Sequence, residues 1–237
     1  MLVGSGIVWI GSVMSHAQTR LLYTYRGHTD TVYTVAWSPD GKHIASSSAS
    51  LGTGGGDPTV QVWNAGDGSS SSSYNGDSSP GGVAWSPDGK HIACGGMKSV
   101  CVWNVADGKS PSLTYTGSTA STGPADFVGE VAWSPDSKRI ASSSEKTVQV
   151  WDAVDGTLLS TYKGHKNIVN AVAWSPDGKH IASGSGDNTV QVWNVTDDSS
   201  PYSYTGHADT VNAVAWSPDG KRIASGSGDN TVQVWSA

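Results

Sequence analysis

The chain has 237 residues, enough to bury a core as one large domain or two small ones. Its 14 Lys and Arg against 20 Asp and Glu leave a net charge of −6, and no basic run appears, which excludes the clustered cationic surface that a nucleic-acid partner needs. Charged residues make up only 14%, while 30 Gly, 11 Trp and a single Phe mark a globular chain of unusual make-up.

Residues 1–17, MLVGSGIVWIGSVMSHA, carry no charged side chain, and the first cation is Arg20. The run is shorter than the roughly 20 apolar residues of a membrane span. Its length suits the apolar region of a signal peptide, and Ser15-His16-Ala17 before Gln18 resembles a small-residue cleavage site, although no Lys or Arg precedes it. Three readings stay open: an export or anchor segment, which the pattern favours; a degenerate strand of an earlier repeat; or an apolar tail. The first puts the protein outside the cytoplasm or on a membrane, held there only by these residues. The other two are compatible with the cytoplasm.

From residue 18 onward the chain is a tandem repeat. Trp-Ser-Pro recurs with its Trp at Trp37, Trp85, Trp133, Trp174 and Trp216. A second Trp ends a Val-x-Val-Trp-like run at Trp63, Trp103, Trp151, Trp193 and Trp235, so ten of the eleven tryptophans belong to a five-fold repeat. The units span about 27–64, 76–104, 117–152, 164–194 and 206–237, and the phrase IASGSGDNTVQVW occurs whole at 181–193 and at 223–235. Each unit reads as strands. TVYTVAW (31–37) is rich in β-branched and aromatic residues, and SPDG has type I turn chemistry. KHIAS follows as a second strand, GSGDN as a tight turn and TVQVW as a third strand; a turn such as AVDG (153–156) leads to TLLSTY, a fourth. Such a sheet has two apolar faces and is not stable alone, so the units pack face to face around an axis.

On these residues the chain resembles the WD-repeat (WD40) β-propeller family over residues 18–237. The resemblance is carried by Gly27-His28, Gly164-His165 and Gly206-His207 before the first strand. It is carried equally by Trp63-Asn64, Trp103-Asn104, Trp151-Asp152 and Trp193-Asn194 after the third. It implies an all-β propeller of four-stranded blades, five by repeat count. It also implies that an N-terminal strand, here TRLLYTY (19–25), supplies the missing fourth strand of the last blade and latches the ring. Members usually have seven blades, so two further arrangements stay open: a fragment, or an open arc that completes itself on another copy.

Three units contain Ser, His and Asp, the components of a hydrolytic triad: His28, Ser46, Asp57 with Trp63; His165, Ser183, Asp187 with Trp193; His207, Ser225, Asp229 with Trp235. A catalytic site needs one asymmetric constellation, and a set repeated per blade is not one. The resemblance implies that each set is a buried Trp–Ser–His–Asp network tying an outer loop to the sheet. Unit two has Asp77 in place of the His and Cys94 in place of the Ser; unit three has Ser118 and Glu145 in place of the His and Asp. Blades two and three are therefore expected to be the less stable. His43, His91 and His180, replaced by Arg139 and Arg222 in the other units, read as one solvated rim position per blade and not as a metal cluster. No metal or other cofactor is expected. Cys94 and Cys101 sit on two arms of one hairpin, which leaves open a cross-strand bridge or two small half-buried thiols.

Departures from the repeat carry the functional information. SSASLGTGGGDPT in unit one and GSTASTGPADFVGE in unit three are longer than their counterparts, and both emerge on one ring face beside blade two. The resemblance implies peptide binding on that face through the residue four before the first Trp. The candidate partner face comprises Tyr33, Asn170 and Asn212 with Leu51, Thr53, Asp77, Asp126 and Phe127. Tyr33 is the aromatic anchor among them. The leading reading is a non-enzymatic scaffold for a protein or peptide, with self-association open. The alternative is a lectin-like propeller with carbohydrate sites between blades.

Overall fold

The computed structural model describes residues 21–48, 57–75, 81–97, 99–107, 111, 113–115, 128–196 and 202–237. Residues 1–17 lie outside these. Among the described residues there are nineteen strands and no helix, in five antiparallel sheets. Blade one is β1 (Val32–Trp37), β2 (His43–Ser48), β3 (Thr59–Asn64) and β4 (Ser70–Asn75). Blade two is β5 (Val83–Trp85), β6 (His91–Gly95), β7 (Val100–Asn104) and β8 (Leu113–Tyr115). Blade three is β9 (Val128–Trp133), β10 (Arg139–Ser144), β11 (Thr147–Asp152) and β12 (Leu158–Lys163). Blade four is β13 (Val169–Trp174), β14 (His180–Ser185), β15 (Val190–Asn194) and β16 (Tyr202–Tyr204). Blade five is β17 (Val211–Trp216), β18 (Arg222–Ser227) and β19 (Val232–Ser236).

The first turn of every blade builds itself from Ser-Pro-Asp. The Ser38 hydroxyl donates to Asp40 at 2.7 Å, the same carboxylate accepts the Lys42 amide at 3.0 Å, and Ser38 Oγ accepts the His43 amide at 2.9 Å. Ser86, Ser134, Ser175 and Ser217 repeat the pattern. The residue after Asp is left-handed, with φ from 68° to 72° at Gly41, Gly89, Gly178 and Gly220; blade three places Ser137 there at 59°. Register then explains the two tryptophans per repeat. Ile44 pairs with Trp37 on one side and Trp63 on the other, as Ile181 does with Trp174 and Trp193. The core lies between blades: Val60 and Val62 of blade one pack with Val83, Trp85 and Ile92 of blade two, and the same arrangement recurs at the later joints.

Closure differs from the expectation. Blade five has three strands, and residues 21–25 are not paired with β19. Tyr25 stacks on Trp63 at 5.1 Å, and the Tyr23 hydroxyl donates to the Ala65 carbonyl. Tyr74, Tyr115, Tyr162 and Tyr204 lie in the same way, from one blade onto the third-strand Trp of the next. Aromatic packing therefore holds the segment in a fourth-strand position against blade one. The edge it would pair with stands at the other end of the arc. The ring is open, with Val35 and Trp37 exposed at one end and Val232 and Val234 at the other.

Candidate functional site

In blade four, the Trp193 indole N–H donates to Ser183 Oγ at 2.8 Å, Ser183 Oγ lies 2.8 Å from His165 Nε2, and His165 Nδ1 lies 3.0 Å from Asp187. One proton arrangement satisfies all four groups: Nδ1–H donates to the carboxylate, and Nε2 accepts the Ser hydroxyl. Burial holds the His165 pKa below its usual value, despite the opposing pull of Asp187. Burial would raise Asp187, but the Thr189 hydroxyl, the Lys166 amide and His165 outweigh it and hold the carboxyl below the usual range. Neutral imidazole beside carboxylate is the resulting state. Blade five repeats the set, with all three distances at 2.8 Å. Ser183 and Ser225 are buried with their oxygens already engaged, which leaves no approach for a substrate.

Blade one differs from its sequence pattern. His28 lies 2.8 Å from both Asp57 and Ser46, yet the Trp63 indole N–H finds no acceptor among the described residues. In blade two Cys94 takes the Ser position, and the Trp103 N–H is likewise without an acceptor among the described residues. Cys94 and Cys101 stand opposite each other in the ladder and are buried thiols. Blade three keeps the Trp151–Ser142 bond at 2.8 Å, while Glu145 adopts a left-handed φ of 46°. Asp77 and Ser118 lie outside the described residues.

The His/Arg position after Lys is not the solvated rim that the repeat suggests. His43 stacks against Trp85, His91 against Trp133 and His180 against Trp216, at 6.0–6.3 Å between ring centroids, and Arg139 lies 4.8 Å over Trp174. Each partner Trp belongs to the next blade. Trp133, Trp174 and Trp216 also donate to the carbonyls of Ala84, Ala132 and Ala173 of the preceding blade, at 3.0–3.2 Å. The position takes only His or Arg, planar side chains that can lie on an indole, and that restriction was the readable signal.

Of the candidate partner face, Tyr33 is 46% exposed at the start of β1, and Asn212 is exposed on β17. Asn170 is partly buried and donates its amide to the Val211 carbonyl at 3.0 Å, a bond between blades four and five. Leu51, Thr53, Asp77, Asp126 and Phe127 lie outside the described residues. Two features escaped the sequence. Burial beside Gly82 pushes Glu130 up to about 7. A cleft of about 330 Å³ opens between the Ser-Pro-Asp turns of blades four and five, lined by Pro176, His180, Tyr202, Tyr204, Trp216 and Pro218.

The WD domain, G-beta repeat (WD40) family matches residues 19–64, 68–104, 111–152, 156–194 and 199–236. The chain belongs to the WD40-repeat family. No curated protein sequence matches it. WD40 proteins are generally non-enzymatic scaffolds that bind proteins or peptides. In these WD40 repeats the complete tetrads of blades four and five tie loop to sheet, and His43, His91, Arg139 and His180 each lie against a Trp of the next blade.

Proposed function

We propose that this WD40 protein is a non-enzymatic scaffold that presents one ring face to a protein or peptide partner. To that face we assign Tyr33 together with the inserted segments 49–56 and 118–126. Tyr33 carries the reading: it is a nearly half-exposed aromatic ring on a rigid strand, beside the end of the blade from which segment 49–56 departs. An aromatic anchor with few rotatable bonds, next to an insertion, is the usual make-up of a protein contact. A peptide array probed with the wild type, with Tyr33→Ala and with residues 49–56 deleted tests it. Peptides retained by the wild type and lost by both variants support the face; equal retention by all three overturns it.

The cleft between blades four and five supports a second reading, carbohydrate binding. Tyr202 is exposed there beside Trp216, with the carboxylates of Asp177 and Asp219 in the lining. Rings that stack on sugars and carboxylates that accept hydrogen bonds from their hydroxyls suit that ligand. A glycan array with Tyr202→Ala as control separates the two readings.

A further inference from the structure

The joint between blades four and five shows what a blade face accepts. Val211 and Val214 stand so close over Gly184 that a Cβ there would lie 2.6 Å from Val211 Cγ1 and 3.0 Å from Val214 Cγ1. Trp216 donates to the Ala173 carbonyl at 3.1 Å with His180 stacked against it, and Asn170 donates to the Val211 carbonyl. Every one of these parts recurs at the two ends of the arc, without its counterpart. Gly226, the equivalent of Gly184, has nothing within 4 Å of a Cβ position. Arg222 and Asn212, equivalent to His180 and Asn170, are exposed, and Val234 is 63% exposed. At the other end Val32, Val35 and Trp37 match Val211, Val214 and Trp216 in position, and Trp37 is 61% exposed.

We propose that these ends join head to tail between two copies of this chain. The β1 face of one copy seats on the β18–β19 face of blade five of the other. Trp37 donates to the Ala215 carbonyl beneath Arg222, Val32 and Val35 fill the space over Gly226, and Asn212 donates to the Val32 carbonyl. Residues 21–25 of the incoming copy, already held on blade one by Tyr23 and Tyr25, run beside the open edge of β19 as its fourth strand. A second copy is the occupant because the two end surfaces repeat a joint that the molecule already contains. Within one copy they stand apart. The contact joins unlike surfaces, so it propagates until a ring of copies closes.

Sedimentation velocity of the full chain across a concentration series reads this directly. The expected wild-type species has at least twice the 24.5 kDa of one copy. Gly226→Val, which meets nothing within its own copy, and Trp37→Ala each reduce the species to one copy with an unchanged far-ultraviolet circular dichroism spectrum. An equimolar mixture of the two variants restores the twofold mass, because Trp37→Ala keeps an intact blade-five face and Gly226→Val an intact β1 face. Arg222→Ala, a milder variant, weakens association several-fold. Three results overturn the proposal: a single-copy wild type at every concentration, where a thermal midpoint that falls on Gly226→Val signifies closure within one chain; an assembly indifferent to both substitutions; or a mixture that stays single-copy.

Discussion

Ser183→Ala and Ser46→Ala remove the same atom from the same letter of two repeats, and the structure predicts different losses. Ser183 Oγ serves two partners, the Trp193 indole and His165 Nε2, each at 2.8 Å. Its removal strands a buried donor and a buried acceptor, at about 1–3 kcal/mol each, so the blade-four substitution costs about 2–6 kcal/mol. Ser46 Oγ bonds His28 at 2.8 Å, while Trp63 already lacks an acceptor among the described residues. Its removal strands one group and costs about 1–3 kcal/mol. Native-state hydrogen exchange with mass spectrometry resolves the blades, because repeat units open locally. Amides of β14 and β15 are expected to exchange about tenfold or more beyond the acceleration seen in β2 and β3, since about 1.4 kcal/mol is a factor of ten. Equal accelerations, or a larger one in blade one, refute the reasoning that bonds to Trp distinguish the blades.

The same logic makes blade two the first to open, and β6 and β7 exchange before β14 and β15 in the wild type; the reverse order contradicts it. Cys94→Ser supplies the oxygen that Trp103 lacks and is expected to slow exchange in blade two by about 1 kcal/mol. Glu130, raised from 4.5 to about 7 by burial, holds its proton in the folded state where the unfolded chain has lost it. Its contribution is complete below pH 4.5 and disappears as pH rises to about 7, by at most about 3 kcal/mol, and Glu130→Gln abolishes that slope in urea-unfolding midpoints. His165 acts in the opposite sense: its lowered pKa means that the unfolded chain takes up the proton first, so stability falls as pH drops below 6.5, and Asp187 adds a further loss below 3.8. His165→Gln removes the first of these losses; a midpoint that falls just as steeply below pH 6.5 in this variant counts against the assignment.

The blade was legible because its signals are local and repeated. Ser-Pro-Asp makes its turn with its own side chains, and Ile flanked by two Trp needs only one sheet to be understood. His28, Ser46, Asp57 and Trp63 show where legibility stops. Their letters match blade four, but Trp63 lies flat against Tyr25 of the N-terminal segment and its N–H finds no acceptor among the described residues, which the letters do not record. The stacking of His43 on Trp85 was hidden for a different reason: it joins residues 42 positions apart in two neighbouring repeats, and a period read within a unit carries no contact between units. Exposure of a repeated polar residue is the natural guess when its neighbour in space is unknown.

Closure is the extreme case of the same gap. Whether five blades meet depends on the angle at each joint, and that angle is accumulated over four joints before the ends can be compared. No single repeat states it. Yet the near identity of blades four and five turns this weakness into an argument. A joint seen once, with Val211 over Gly184 and Trp216 on Ala173, specifies what Gly226 and Ala215 will accept. The surface offering those same groups is β1, and its exposure shows that its own chain does not bring it there. Repetition that makes the interior predictable therefore also makes the ends complementary, and complementarity without contact is a reason to look for another copy.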